Sequence, residues 1–360
     1  MNFLQHSYTK VGEHRGKSRI WLQGLRLASA GFSKGERYRI DYDMNNACIE
    51  LVLDKNGNRI VSGKKVKDRI LPIVDICNSD IINVTQGEER VRVDFAGGYI
   101  RVSIHHHVSK QAERENRLKV NLDNGCIKEG SMCTGGGVAA LAVKTGLGIK
   151  GVKSSLEWVV DRERKYLQVA CDNNSALDAD TTIIEGTLEE VESSLLKPVD
   201  LLQVSLTCCP YGASGKAKNK IKLAEEHKDA TAMFGLMRVV ESVNPSIIIS
   251  ENVCGSRDSA TYLLIKGMLE TLGYVIHEFD LDSKQAGSFE QRKRYWFLAV
   301  SSGLPQLDVK DIPSFNRQYE TLGDVLEPVP SDDAAWSDHE YLKLAYSRER
   351  EHQMAVIVNT

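Results

Sequence analysis

The sequence predicts an α/β protein: a doubly wound sheet domain over residues 121–303, preceded by a small β-rich domain over residues 1–120. Two observations carry this. Downstream of Gly130, short apolar runs at 156–160, 181–186, 201–204 and 247–250 alternate with helical segments. Upstream, RYRIDYD (37–43) and RVRVDF (90–95) alternate with period two, the mark of half-buried strands.

Composition narrows the class. At 42% hydrophobic and 26% charged, the 360-residue chain has apolar content for a sizeable core. It contains no apolar run of about 18 residues, so no membrane span is expected. The first 19 residues have no signal-peptide core. None of the eight cysteines forms a C-x-x-C pair, which argues against structural zinc. They are expected to be reduced thiols of a cytoplasmic protein. Residues 1–120 carry a net charge of +7 and the remainder −10. A basic front on an acidic body suggests a polyanion-binding module, so the first domain is expected to be DNA-binding or dimerising.

Taken in order, residues 1–18 are polar and expected to be mobile. The segments 37–43 and 49–53 read as one strand pair, and 90–95 and 99–104 as a second pair joined by Ala-Gly-Gly. R-Y-R-I-D-Y resembles R-V-R-V-D-F, a weak internal repeat of hairpin units. His105, His106 and His107 would alternate faces on a strand and could not converge on one ion, so no metal site is expected. Residues 109–120 form a charged helix or linker. Gly135, Gly136 and Gly137 precede the helical run VAALAV, where glycines let a ligand approach the backbone. A second strand ends at Asp161, with Glu157 further back; a strand-end carboxylate suits ribose hydroxyls. Glu185 closes the third strand. The run at 201–204 leads into a loop with Cys208 and Cys209, then Pro210, Tyr211 and Gly212. A thiol beyond the carboxyl end of a parallel strand is placed for chemistry. Lys216, Lys218, Lys220 and Lys222 follow as a basic run that could grip phosphates. Met233, Phe234, Leu236, Met237, Val240 and Val243 recur at helical spacing and read as core. Glu251 ends the run Ile-Ile-Ile-Ser, and Arg292 and Arg294 precede the apolar stretch YWFLAV.

The order and spacing of SMCTGGGVAALAV (from Ser131), TCCPYG (from Thr207), IIISENVCG (from Ile247) and LDSKQAGSFEQRKRYWFLAV (from Leu281) resemble the DNA cytosine-5 methyltransferase family. The resemblance covers about half of the chain. It implies a Rossmann-like domain that binds S-adenosylmethionine through Gly135, Gly136, Gly137 and Asp161. Cys208 would be the nucleophile on C6 of a flipped cytosine, with Cys209 the alternative one register away. Glu251 would donate to ring N3. Arg292 and Arg294 would contact the base and steady the loop, and Asn252 would hold the loop in place. Glu185 would face the adenine. The chain departs from the family at four places: Cys133 replaces the aromatic of Phe-x-Gly-x-Gly, Ser131 the acidic residue two before it, Thr207 the proline before the nucleophile, and Glu290 a glutamine. Beyond Gly303 the resemblance fades, leaving a C-terminal extension (304–360) of unassigned role, without the usual target-recognition part. That leaves open a second subunit supplying recognition. The other readings are an RNA cytosine-5 methyltransferase and a catalytically decayed DNA-binding or regulatory protein.

Overall fold

A computed structural model describes residues 5–44, 46–313, 321–326, 328–330 and 332–333. Most of 304–360 therefore lies outside the described residues. The chain divides into two compact units, 1–281 with 293–313, and 282–292 with 314–360.

The first unit opens with ten strands and two short helices: β1 (Gln5–Lys10), β2 (Gly12–His14), β3 (Lys17–Gln23), α1 (Leu25–Ser29), β4 (Arg37–Asp43), β5 (Cys48–Leu53), β6 (Arg59–Ile60), β7 (Ser62–Val66), β8 (Arg69–Cys77), α2 (Asp80–Thr85), β9 (Arg90–Ala96) and β10 (Tyr99–Ile104). They make a six-stranded sheet, β1-β9-β10-β5-β4-β6, and a four-stranded sheet, β2-β3-β8-β7. Alternation sends Val91, Val93, Ile100, Val102, Ile49 and Leu51 into one core with Ile20, Val74 and Ile76 of the other sheet. The hairpins β4–β5 and β9–β10, read above as a repeat, lie side by side through the β10–β5 pair. The expected mobile N-terminus is instead partly ordered: β1 pairs with β9 from Gln5↔Phe95 to Lys10↔Arg90. Its polar residues gave no apolar alternation, because the partner strand and not burial defines this edge.

The histidine expectation is also corrected. His105 is the N-cap of α3 (His106–Asp123), its Nδ1 accepting the His107 backbone N–H at 3.2 Å. On a helix start the three rings share one side, and their nitrogens lie within 4.8 Å of one another.

Helix α3 leads to the third sheet, of seven strands, and is fastened to it by polar groups. The buried Arg114 donates from Nε to Ser301 Oγ (2.8 Å), and from Nη2 to the carbonyls of Leu272 and Gly273 (3.0 and 2.9 Å). Asp200, fully buried, accepts from Arg117 Nε (3.2 Å), Asn121 Nδ2 (2.7 Å) and the Lys128 backbone N–H (2.8 Å). Buried charges need such complete pairing, because neither has water to fall back on.

The rest alternates strand and helix: β11 (Cys126–Met132), α4 (Val138–Ile149), β12 (Lys153–Asp161), α5 (Arg164–Asn173), β13 (Thr182–Glu185), β14 (Leu201–Val204), α6 (Ala213–Asn219), α7 (Ala232–Val243), β15 (Ile247–Asn252), α8 (Ala260–Thr271), β16 (Tyr274–Asp282) and β17 (Lys293–Ser301). The sheet order is β13-β12-β11-β14-β15-β17-β16. Strands β13 to β15 are parallel, and β17 runs antiparallel to β15. All four residues of β14 are buried, as expected of a central parallel strand covered on both faces. The order reverses between β11 and β14. At such a switch point the loops beyond the carboxyl ends diverge and leave a crevice.

Candidate active site

Two loops leave the sheet at that switch point. The first follows β11. Cys133 (φ 53), Gly135 (φ 55) and Gly137 (φ 79) all lie in the left-handed region. Gly137 is required for space as well: a Cβ there would stand 2.2 Å from Asn174 Nδ2, which donates to the Gly137 carbonyl at 2.7 Å. Asp161 at the end of β12 braces the loop. One carboxylate oxygen accepts Gly135 N–H (2.7 Å) and the other Glu163 N–H (2.9 Å). Each oxygen keeps a second lone pair for a hydroxyl. Glu157, the second choice, lies earlier on β12 and is held by Lys128 (2.7 Å) and Lys197 (3.0 Å). Burial raises its pKa, but the two lysines outweigh this and hold the carboxyl below its usual range.

A cavity of about 420 Å³ opens beside this loop, lined by Cys133, Asp161, Arg162, Thr187, Thr207 and Asp229 among others. Its volume suits a cofactor-sized ligand. Burial pushes the Cys133 thiol up to about 12, so it is a neutral wall group of the cavity. Sequence reading missed the rim pair Arg162–Asp229 (2.9 Å). The position of Arg162, directly after the strand-end Asp161, was the available signal. Glu185 is exposed at the end of β13, opposite Asp161 in register, and lines a neighbouring cavity of about 330 Å³.

The second loop follows β14. Thr207 faces the cavity, and Cys208 and Cys209 are both exposed. The Cys208 carbonyl accepts the N–H groups of Tyr211 and Gly212, each at 3.0 Å, closing a tight turn before α6. Tyr211 is buried edge-on against Tyr262, with ring centroids 5.2 Å apart, and burial pushes its phenol up to about 12. Helix α6 presses on the turn: a Cβ on Gly215 would stand 2.1 Å from the Cys209 carbonyl oxygen.

Strand β15 supplies the third wall. Asn252, buried, donates from Nδ2 to the Leu206 carbonyl (2.7 Å) and to Tyr262 Oη (2.8 Å). Its Oδ1 accepts the Val253 N–H (2.8 Å). The strand carrying Glu251 is thereby tied to the loop two residues before Cys208. Antiparallel pairing of β17 with β15 brings Arg294 to Glu251, Nε to Oε1, at 3.1 Å. Both side chains are about one quarter exposed, so the pair is open to a ligand. Arg292 belongs to the other unit, where its backbone N–H donates to Ser283 Oγ at 2.8 Å.

A doubly wound sheet carries a braced glycine loop and a cysteine turn at its switch point and a carboxylate–arginine pair on the next strands, the class of site suited to group transfer from a bound cofactor. The comparisons identify which. The family model for C-5 cytosine-specific DNA methylase matches residues 140–359, and the chain belongs to that family. It is 32% identical over 196 residues to the Type II methyltransferase M.PspPI of Psychrobacter sp. (strain TA137), covering 53% of this chain and 44% of that protein. It is 27% identical over 165 residues to M.MspI of Moraxella sp., covering 45% and 37%. The chain thus spans less than half the length of these curated relatives. Among solved structures, the Entamoeba histolytica methyltransferase EhMeth matches with TM-score 0.42 and 17% identity, over 54% of this chain and 57% of that one.

Proposed function

We propose that this chain transfers a methyl group from S-adenosylmethionine to C5 of cytosine in DNA. The observation that carries the reading is the Asn252–Leu206 hydrogen bond, which joins the cysteine turn to the strand bearing Glu251 and Arg294. Nothing among the relatives supports a second subunit, and their Type II naming favours a cytoplasmic modification enzyme.

When bound, S-adenosylmethionine supplies an electrophilic methyl group on sulfonium. Asp161, which lines the 420 Å³ cavity, and the adjoining loop of Gly135, Gly136 and Gly137 that it braces would hold the cofactor. The target base must leave the duplex to reach the site. Cys208 thiolate then adds to C6, and the ring's electrons move toward C5. Glu251, on taking up a proton as the base enters, shares it with ring N3, which makes that addition easier, and recovers it when N3 is restored. Arg294 orients the Glu251 carboxyl, which it meets at 3.1 Å, and reaches the base carbonyl. After transfer, C5 loses its proton to solvent as the C6–S bond breaks, returning the thiolate.

The test is covalent trapping with duplex DNA containing 5-fluorocytosine, whose fluorine cannot leave as a proton would. An adduct mapped to Cys208, lost in Cys208→Ala, is the expected result. An adduct at Cys209 moves the nucleophile by one residue. No adduct, with S-adenosylmethionine bound, overturns the proposal.

A further inference from the structure

The first unit carries a basic element outside the cleft. Strands β7 and β8 form a ribbon at the edge of the four-stranded sheet. Gln23↔Ile73 is the last pair of β3 with β8, followed by a Gly24 N–H to Pro72 carbonyl bond at 3.0 Å. Past that point β7 and β8 pair with each other alone, through Lys64↔Leu71, Lys65↔Ile70 and Val66↔Arg69. At the usual strand rise this free part reaches about 10 Å beyond the sheet, before the turn.

Every residue from 64 to 70 is exposed. Four are cations, Lys64, Lys65, Lys67 and Arg69, against the single acid Asp68. No ion pair or side-chain hydrogen bond engages these cations among the described residues. Elsewhere on these sheets arginines are neutralised locally, as in Arg19–Asp75 (2.8 Å) and Arg92–Asp94 (2.8 Å). Strand alternation places Lys64 and Arg69 on one face of the ribbon and Lys65 on the other. Lys67 sits at the turn with φ 53. Val66 and Ile70, 41% and 54% exposed, lie between the cations.

A flat anionic surface would engage one face of such a ribbon. A groove walled by phosphates on both sides engages both. The major groove of B-form DNA is about 12 Å wide and 8.5 Å deep and admits a two-stranded ribbon. The A-form major groove of double-stranded RNA is too narrow for one. We propose that the β7–β8 ribbon enters the major groove of the substrate duplex and supplies DNA affinity from outside the catalytic sheet. This rests on DNA being the substrate. Lys64, Lys65, Lys67 and Arg69 contact phosphates, with Val66 on the face of Lys64 and Arg69 and Ile70 on the face of Lys65.

The test measures binding of the full chain to a labelled duplex between 50 and 200 mM salt, for wild type and for the combined variant K64Q/K65Q/K67Q/R69Q. With about 0.9 counterions released per phosphate contact, the slope of log K against log salt should fall by about 3 to 4. Affinity at 100 mM salt should fall at least about 100-fold, with the melting midpoint unchanged. An unchanged slope in the variant, no duplex binding by the wild type, or tighter binding to double-stranded RNA of the same sequence would each overturn the proposal. Trapping on 5-fluorocytosine DNA, run beside it, separates the two readings. Adducts with ribbon-independent binding refute the ribbon alone; ribbon-dependent binding without adducts refutes methyl transfer alone.

Discussion

Replacing Asn252 should disconnect the cysteine turn from β15 without touching any reacting atom. Its side-chain amide is 2% exposed and makes three hydrogen bonds, to the Leu206 carbonyl, Tyr262 Oη and the Val253 N–H. Asn252→Ala leaves the first two partners buried without that donor. At about 1–3 kcal/mol for each unsatisfied buried group, the cost is about 2–6 kcal/mol of stability. Asn252→Asp keeps the shape and the acceptor for Val253 but loses both donors, so it separates hydrogen bonding from cavity formation. A displacement of the turn by about 1 Å costs on the order of 100-fold in rate. Single-turnover trapping on 5-fluorocytosine DNA is the assay, run well below the melting midpoint of each variant. Slowing of about 100-fold in both variants, with S-adenosylmethionine affinity retained, is the expected result. Wild-type trapping rates in a destabilised Asn252→Asp protein would refute the positioning role.

Three further outcomes follow from the geometry. Asp161→Asn replaces one backbone acceptor of the glycine loop by a donor; at about 1.5–3 kcal/mol for a charge-assisted bond, S-adenosylmethionine should bind about 10- to 100-fold more weakly by calorimetry. Asp200→Ala strands Arg117 beside the sheet and should cost about 3–5 kcal/mol in urea unfolding, where a loss below 1 kcal/mol would contradict the latch. Glu129 is buried, accepts from Gln203 Nε2 at 2.8 Å, and burial raises its pKa above the ordinary 4.5. Below the unfolded value both states hold the proton. Above it the unfolded chain ionises first, so stability is lost as pH rises toward the folded value. Wild type should therefore lose melting temperature relative to Glu129→Gln as pH rises above the ordinary 4.5, and a pH-independent difference would refute this.

The parallel sheet was legible because strands covered on both faces must be continuously apolar, as Leu201, Leu202 and Val204 are. The glycine loop and the cysteine turn were legible because each follows such a run. β1 was not, since its six residues are polar or aromatic and owe their order to β9. Nor were the anchors of α3: residues 109–120 read only as a charged helix or linker, yet Arg114 and Arg117 meet Ser301 and Asp200 far along the chain. The histidine triplet misled because the strand period was applied to a helix start.

By itself the sequence determined which chemistry the chain carries: a thiol beyond a buried strand, a carboxylate after an apolar run, and glycines ahead of a helix, in an order that resembles one enzyme family. Those are local properties, set by residue type and the period of burial. Only the tertiary structure decided which groups meet. Asn252 reaches Leu206 across 46 residues and Arg294 reaches Glu251 across 43, because parallel β14–β15 and antiparallel β15–β17 pairing bring those strands side by side. A hydrogen bond over such a separation leaves no periodic trace in the chain, since its partners are chosen by strand order and register.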